Sequence, residues 1–320
     1  MSTQNNHKGF AIALAWPQTY CKQPGSWYDP LIGLLGINKN NYYKAGHAAL
    51  VLVDSKNRSC NYFDFGRYHA PFQYGRVRSF ETDHDLKIKT SPVISSDGKL
   101  IENFEEILSE LQNNPACHGE GELYASYSQI NFHLALNKAN KMQSLSPIPY
   151  GPFKYKGSNC SRFVNTVLLA GNPGFKHSVK LRYFVPFTPT PLNNVNALLH
   201  KTSLPKSKNE EPFSPVKLLE RGFLKSTLEP PERTSNIPQD SQWLSGEGVG
   251  SWFYFEFQNK LLEVTRYSPG GVVECTGIYK SLNGHKINSS NNYQITYPTN
   301  CKVVSLRSEN AELKFERTII

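Results

Sequence analysis

No stretch of this chain is apolar for long enough to cross a membrane. The longest such runs, His47–Val53 among them, are strand-sized, whereas a spanning helix needs about 20 residues. The first residues carry one lysine ahead of the apolar run Phe10–Trp16 and no cleavage pattern, so no signal peptide is expected and the cytoplasm is the expected location. Cys-x-x-Cys pairs, His-Glu-x-x-His and zinc-finger spacings are absent, and neither a metal nor a cofactor is expected. Six cysteines, at 21, 60, 117, 160, 275 and 301, are thinly spread in a chain of 320 residues, which is large enough to bury a core without disulfides; a reducing compartment follows. Internal repeats, low-complexity tracts and RNA-binding or helix-turn-helix signatures are also missing.

What is present is ordinary globular composition, 38% hydrophobic and 19% charged, with a formal net charge of +9. The basic surplus permits an anionic partner. Its densest groups, Arg67, Arg76 and Arg78, then Lys176, Lys180 and Arg182, then Lys201, Lys206 and Lys208, are too dispersed for a dedicated nucleic-acid binder. No nucleic-acid partner is expected.

The pattern along the chain is α+β. Phe10–Trp16 reads as a buried strand, Pro24-Gly25 as a turn, and Trp27–Ile37 as an apolar segment of unassigned type. Gly46-His47 opens a second strand, apolar on both faces, through Val53; Asp54–Arg58 turns the chain into an aromatic strand, Ser59–Tyr68. Val77–Phe80 and Leu86–Lys89 are short strand candidates, Phe104–Leu111 is an amphipathic helix, and Tyr124–Met142 contains another helix. Lys180–Val185 reads as a strand. Residues 201–240, rich in proline and charge, read as a linker or crossover with one short helix candidate, Val216–Arg221. From Trp243 onward the pattern is β. Phe253, Phe255 and Phe257 share a face, Ser268-Pro269-Gly270-Gly271 forms a hairpin turn, and Tyr293–Tyr297, Val303–Leu306 and Leu313–Glu316 add strands of a small antiparallel sheet or barrel. The expected domains are residues 1–200, a linker at 201–240, and a small all-β domain at 241–320.

The chemistry concentrates at Gly157–Thr166. Asn159 is a good helix N-cap, and Phe163, Val164, Val167 and Leu168 form one apolar face behind Cys160, with Gly171 and Pro173 closing the helix. Cys160 therefore sits in a first helical turn, where unpaired N–H groups and the dipole favour a thiolate. A cysteine nucleophile needs a base and the base an orienting group. His47, opening a buried strand at the rim of a sheet, is the candidate base. Asp64 is the candidate third member, and the hairpin register decides its position. Pairing Asp54 with Asn57 places Asp64 opposite His47; pairing it with Ser59 places Asp64 opposite Ala49, still diagonal to His47; pairing it with Arg58 puts Asp64 on the wrong face. A salt bridge to a basic residue is the competing role for Asp64.

The motif Asn159-Cys160-x-x-Phe163-Val164, downstream of a strand beginning Gly46-His47, resembles the circularly permuted branch of the papain-like cysteine enzymes. That branch includes lecithin:retinol acyltransferase, related small phospholipase/acyltransferases, and bacterial cell-wall peptidase relatives with histidine before cysteine. The resemblance covers residues 9 to 190. It implies a permuted papain-like domain with an antiparallel sheet and a nucleophile-bearing helix, Cys160 as nucleophile and His47 as base. The acyltransferases carry a second histidine where this chain has Asp64, with His69 a few residues on, so the third position stays open between the two. Ala15-Trp16-Pro17, Trp27-Tyr28-Asp29, Gly46-His47-Ala48-Ala49 and Tyr62–Tyr68 also resemble an uncharacterised group of bacterial proteins, which implies no activity.

The expected function is a thiol hydrolase that cleaves an amide or peptide bond through a thioester. The alternatives are an acyltransferase on the same scaffold or an inactive binding module with a basic surface. The substrate is a peptide or amide, and if it is anionic Arg67, Arg76 and Arg78 are the candidates to bind it.

Overall fold

The computed structural model describes residues 8–23, 38–39, 42–206, 226–282, 292–309 and 311–318. The turn at Pro24-Gly25, the segment Trp27–Ile37 and the helix candidate Val216–Arg221 lie outside them.

The first half is built on a seven-stranded, fully antiparallel sheet. Its strands are β1 (Lys8–Trp16), β5 (His47–Asp54), β6 (Ser59–Gly66), β7 (Tyr74–Arg78), β8 (Leu123–Asn131), β9 (Ile148–Pro149) and β10 (Leu199–Leu204), in the order β10-β8-β1-β5-β6-β7-β9. Three two-residue strands, β2 (Cys21–Lys22), β3 (Asn38–Lys39) and β4 (Tyr42–Tyr43), pair separately. The α-helices among the described residues are α1 (Phe104–Gln112), α2 (Phe132–Ser144), α3 (Cys160–Ala170), α4 (Phe175–Tyr183) and α5 (Pro191–Ala197).

Every residue of β5 is buried, because both faces of the sheet are covered. On one face Ala48, Leu50 and Leu52 pack with Phe163, Val164 and Val167 of α3, Ala135 and Ala139 of α2, and Val195 of α5. On the other, Ala49, Val51 and Val53 pack with Ile12, Leu14, Trp16 and the apolar stripe of α1, Phe104, Ile107, Leu108 and Leu111. Two covered faces explain why β1 and β5 are continuously apolar rather than alternating.

Asp54 fixes the register of the β5–β6 hairpin. Its carboxylate accepts the backbone N–H of Lys56 and Asn57, and Arg58 takes the left-handed conformation, φ 49°. Asp54 therefore pairs with Ser59, and Asp64 falls opposite Ala49.

The second half is another seven-stranded antiparallel sheet: β11 (Gln242–Ser245), β12 (Gly250–Gln258), β13 (Leu261–Tyr267), β14 (Val273–Ser281), β15 (Gln294–Thr296), β16 (Val303–Arg307) and β17 (Glu312–Arg317), ordered β11-β12-β13-β14-β17-β16-β15. Phe253, Phe255 and Phe257 share its core face with Leu262, Val264, Val304 and Phe315. The hairpin at Ser268–Gly271 is present, with Gly271 at φ 85°. The α+β reading, with antiparallel sheets and an all-β C-terminal part, matches this architecture.

Three local expectations need correction, and one holds with narrower bounds. Leu86–Lys89 is not a strand; Leu86 ends a 3₁₀ turn, His84–Leu86. Lys180–Val185 belongs mostly to α4, a surface helix that buries only Leu181 and so carries almost no 3.6-residue periodicity. Tyr124–Met142 contains α2 but begins inside β8. The serines of β8 look like loop residues in sequence, yet Ser126 donates to the Val195 carbonyl and Ser128 accepts the Leu199 N–H inside the core. Within the region expected as a linker from 201, residues up to Leu204 are the edge strand β10, paired with β8.

The two halves meet through charged groups. Arg67 pairs with Glu247 (2.6 Å), Arg266 reaches Asp83 (3.1 Å), and Tyr68 bridges in parallel to Val249. Gly246 lies so near that a Cβ there would stand 2.2 Å from the Arg67 carbonyl oxygen.

Candidate active site

Cys160 is the first residue of α3. Asn159 holds extended backbone, φ −134° and ψ 177°, and its side-chain oxygen accepts the Arg162 N–H at 2.8 Å. The helix is held at its start by a parallel bridge between Tyr150 and Ser158, and by Tyr150 stacking on Phe65 at 5.7 Å. The thiol is buried, and its sulfur lies 3.8 Å from the Ser161 hydroxyl.

His47 is the first residue of β5. Gly46 before it takes φ +75°, where a Cβ would stand 3.0 Å from the Pro17 Cα and 3.1 Å from the Trp16 carbonyl oxygen. The imidazole stacks on Trp16 with ring centres 5.9 Å apart. Strand alternation puts His47 on the face of Ala49 and Asp64, opposite to the face that carries α3. The two side chains meet because both lie at the rim, where the helix tip reaches the end of the strand. There the imidazole lies close enough to Asp64 and Cys160 for each to shift its protonation, and the Ala48 backbone N–H favours charge on the sulfur.

Asp64 is fully buried. Arg78 grips it with Nε on Oδ1 at 2.9 Å and Nη2 on Oδ2 at 2.5 Å, and the Tyr62 hydroxyl donates to Oδ2 at 3.1 Å. The same Oδ2 lies 3.5 Å from His47 Nε2. That is an ion-pair contact, longer than a formed N–H···O hydrogen bond. Asp64 is thus salt-bridged to an arginine and also faces the histidine.

The electrostatics separate charge within this cluster. Burial pushes the Cys160 thiol up, but contact with the His47 imidazole and the Ser161 hydroxyl outweighs it, so the thiol sits below its ordinary value. Burial pulls His47 down, but the Asp64 carboxylate and the cysteine reverse it, to about 9. Burial opposes the Asp64 charge as well, yet Arg78 and His47 hold it well below the carboxylate range. The arrangement favours a thiolate–imidazolium pair backed by a permanent carboxylate. The Cys21 thiol lies near enough that burial and the Cys160 charge push its own pKa to about 12.

The arginines expected to bind an anionic substrate are otherwise engaged. Arg67 pairs with Glu247 and donates to the Lys22 carbonyl; Arg76 grips Asp83 with both terminal nitrogens, at 2.6 and 2.7 Å; Arg78 holds Asp64 and lies 3.9 Å over the Tyr68 ring. All three are buried. Each neutralises an internal carboxylate instead of facing solvent, because an unpaired guanidinium could not be buried so deeply. His69 does not stand at the third position either. Its Nε2 lies 2.9 Å from the Ser251 hydroxyl, in the contact between the two halves, where burial with Arg266 and Arg76 nearby keeps it neutral.

Sequence reasoning missed Tyr62, Trp16, Ser161 and the Ala48 N–H. Tyr62 shares a strand face with Asp64 two residues on, which was the one readable sign of its role.

In architecture the chain is an α+β protein with a buried thiol, imidazole and carboxylate gathered at a helix tip. Residues 11–176 match the family model described as type VI secretion system effector TseH-like, and the chain belongs to that family. Residues 241–318 match a second family model, the DUF6695 C-terminal domain. Among solved structures, the crystal structure of the type VI secretion system effector TseH is similar at 19% identity and a TM-score of 0.39, over 60% of this chain and 88% of that one. No curated protein matches.

Proposed function

We propose that this effector-family protein is a thiol hydrolase of the permuted papain-like kind, cleaving an amide or peptide bond. Cys160 is the nucleophile, His47 the base and proton carrier, and Asp64 the group that orients and charges the imidazole. The observation that carries this reading is the meeting of Cys160 and Asp64 on one imidazole, with the thiol pulled below its ordinary value and the imidazole pushed above its own.

In the reaction the Cys160 thiolate attacks the carbonyl carbon. The oxyanion is held by the Cys160 N–H in the first turn of α3, where backbone donors have no intrahelical partner. His47 gives its proton to the leaving amine, a thioester remains, and water activated by neutral His47 releases the acid and restores the thiol. The family description supports an effector made in the cytoplasm and carried out of the producing cell. No described helix is long and apolar enough to cross a membrane. In this proposal residues 1–204 are the catalytic domain, 205–240 the connection, and 241–320 a β module for a substrate or partner.

The test is acyl-enzyme formation with p-nitrophenyl acetate. An acetyl group is expected on the peptide containing Cys160, with a nitrophenol burst that His47→Ala abolishes and Cys275→Ser leaves unchanged. Labelling spread evenly over the cysteines would overturn the proposal in favour of a binding module.

A further inference from the structure

A second group of sulfur and imidazole ligands lies outside the active site, at the contact between the two halves. His84 opens the 3₁₀ turn after β7; Cys275 is on β14; Cys301 is in the turn before β16. Their ligand atoms all lie within 4.8 Å of one another, and both cysteines are buried. The two halves are fastened at this point: the Cys301 N–H donates to the Thr82 carbonyl at 2.9 Å, two residues from His84. Arg266, paired with Cys275 across β13 and β14, reaches Asp83.

A positive charge already lies among these three ligands. Arg317 Nη1 donates to Cys275 Sγ at 3.2 Å and stands 3.4 Å from both His84 Nε2 and the Cys301 carbonyl oxygen. The donor set is therefore arranged around a cation. We propose that His84, Cys275 and Cys301 form a binding site for a thiophilic divalent cation, Zn²⁺ in the first instance, with Arg317 as the charge that the ion displaces.

The chemistry fits. Two thiolates and one imidazole are a normal zinc set, with the fourth position open to water or another donor. Tetrahedral zinc places such ligand atoms roughly 3.5–3.8 Å apart, so ligand atoms that all lie within 4.8 Å of one another need to close by no more than about 1 Å. Binding releases the remaining thiol protons to solvent, leaving a neutral Zn²⁺–dithiolate–imidazole unit. The displaced guanidinium has partners at hand, because Arg317 borders a groove also lined by Glu81, Glu263 and Glu316. The spacing of 84, 275 and 301 matches no sequence signature, since the ligands come from different halves of the molecule.

Co²⁺ titration of the reduced full-length protein tests this. The expected result is a thiolate-to-cobalt charge-transfer band and tetrahedral visible bands saturating at one equivalent, both bleached by Zn²⁺. The double variant Cys275→Ser with Cys301→Ser should abolish the charge-transfer band, either single variant should lose about half of it or more, and His84→Ala should weaken binding by at least the roughly 10–100-fold that loss of an outer-shell partner costs. Cys160→Ser should leave the titration unchanged, which separates this site from the nucleophile. Arg317→Gln should bind at least about tenfold tighter, because like charges held a few ångströms apart oppose each other even under strong screening. Circular dichroism of His84→Ala and Arg317→Gln secures the fold. Absence of a thiolate band in the wild type, or a band lost in Cys160→Ser and kept in Cys275→Ser, overturns the proposal. A Cys275–Cys301 disulfide that persists in reductant overturns it as well.

Discussion

Replacing Arg78 by methionine tests what Asp64 is for. The side chains of Asp64 and Arg78 are 0% and 4% exposed, and the pair is bidentate. Removing Arg78 leaves the buried carboxylate only the 3.5 Å contact to His47 and the Tyr62 hydroxyl, a loss on the scale of a broken buried pair, about 3–5 kcal/mol. Loss of the Arg78–Tyr68 stacking acts in the same direction. For a unit of about 200 residues this corresponds to a fall in Tm of roughly 6–20 °C. The double variant Asp64→Leu with Arg78→Met replaces both charges by apolar groups and should recover about half or more of the loss, the Tyr62 hydroxyl and His47 still lacking their acceptor. Stability and chemistry then come apart. In the double variant no carboxylate supports the imidazolium, so alkylation of Cys160 near pH 7 should stay slower than wild type by about 100-fold, the scale of a general acid–base contribution. Thermal unfolding by circular dichroism gives the first quantity and iodoacetamide kinetics the second. A folded double variant whose Cys160 reacts at the wild-type rate would refute the role given to Asp64, and a single variant that melts within a degree of wild type would refute the buried pair.

Three further outcomes follow from the site. Gly46→Ala forces a side chain into a left-handed position against Pro17 and Trp16, so it should cost about 1–3 kcal/mol and slow Cys160 alkylation through displacement of His47, as measured by urea unfolding and labelling. Asn159→Ala removes the N-cap of α3 and should cost about 1 kcal/mol by the same unfolding measurement, with a slower-reacting thiol. The pH dependence of stability should change in Cys160→Ala. His47, raised to about 9, contributes stability that is complete below about 6.5 and lost as pH rises through 9; the lowered Cys160 contributes with the opposite slope, so in the wild type the two offset each other between pH 6.5 and 8.5. Without the thiol the cysteine slope is gone and His47 keeps only Asp64 to raise it, so unfolding free energy should fall by up to about 1.4 kcal/mol per pH unit up to a histidine midpoint lower than in the wild type. Identical pH profiles for the two proteins would contradict the ion pair.

The parts of the fold legible in sequence were those with local physical signals. The apolar runs of β1 and β5, the stripe of α1, the Asn159 cap with the face of α3, and the turn residues at Asp54–Arg58 and Ser268–Gly271 each state their own conformation. The hairpin arithmetic also narrowed Asp64 to the right neighbourhood, because a period of two leaves few registers. Illegible parts depended on partners far away in sequence. β8 hides its strand character because Ser126 and Ser128 are satisfied by α5 and β10. α4 lacks periodicity because it buries only Leu181. The arginines looked like a substrate-binding surface although two of their carboxylates, Asp83 and Asp64, lie only 7 and 14 residues from Arg76 and Arg78; the third, Glu247, is distant. Arg67 and Glu247 are 180 residues apart, a separation that no motif spans.

The central claim is that Cys160 is ionised by its neighbours, and the rate of its alkylation as a function of pH tests that most directly. Peptide-resolved iodoacetamide labelling should show Cys160 titrating below the ordinary thiol value of about 8.5, with His47→Ala moving the midpoint above it. A midpoint at or above 8.5 in the wild type, unmoved by His47→Ala, would contradict the account.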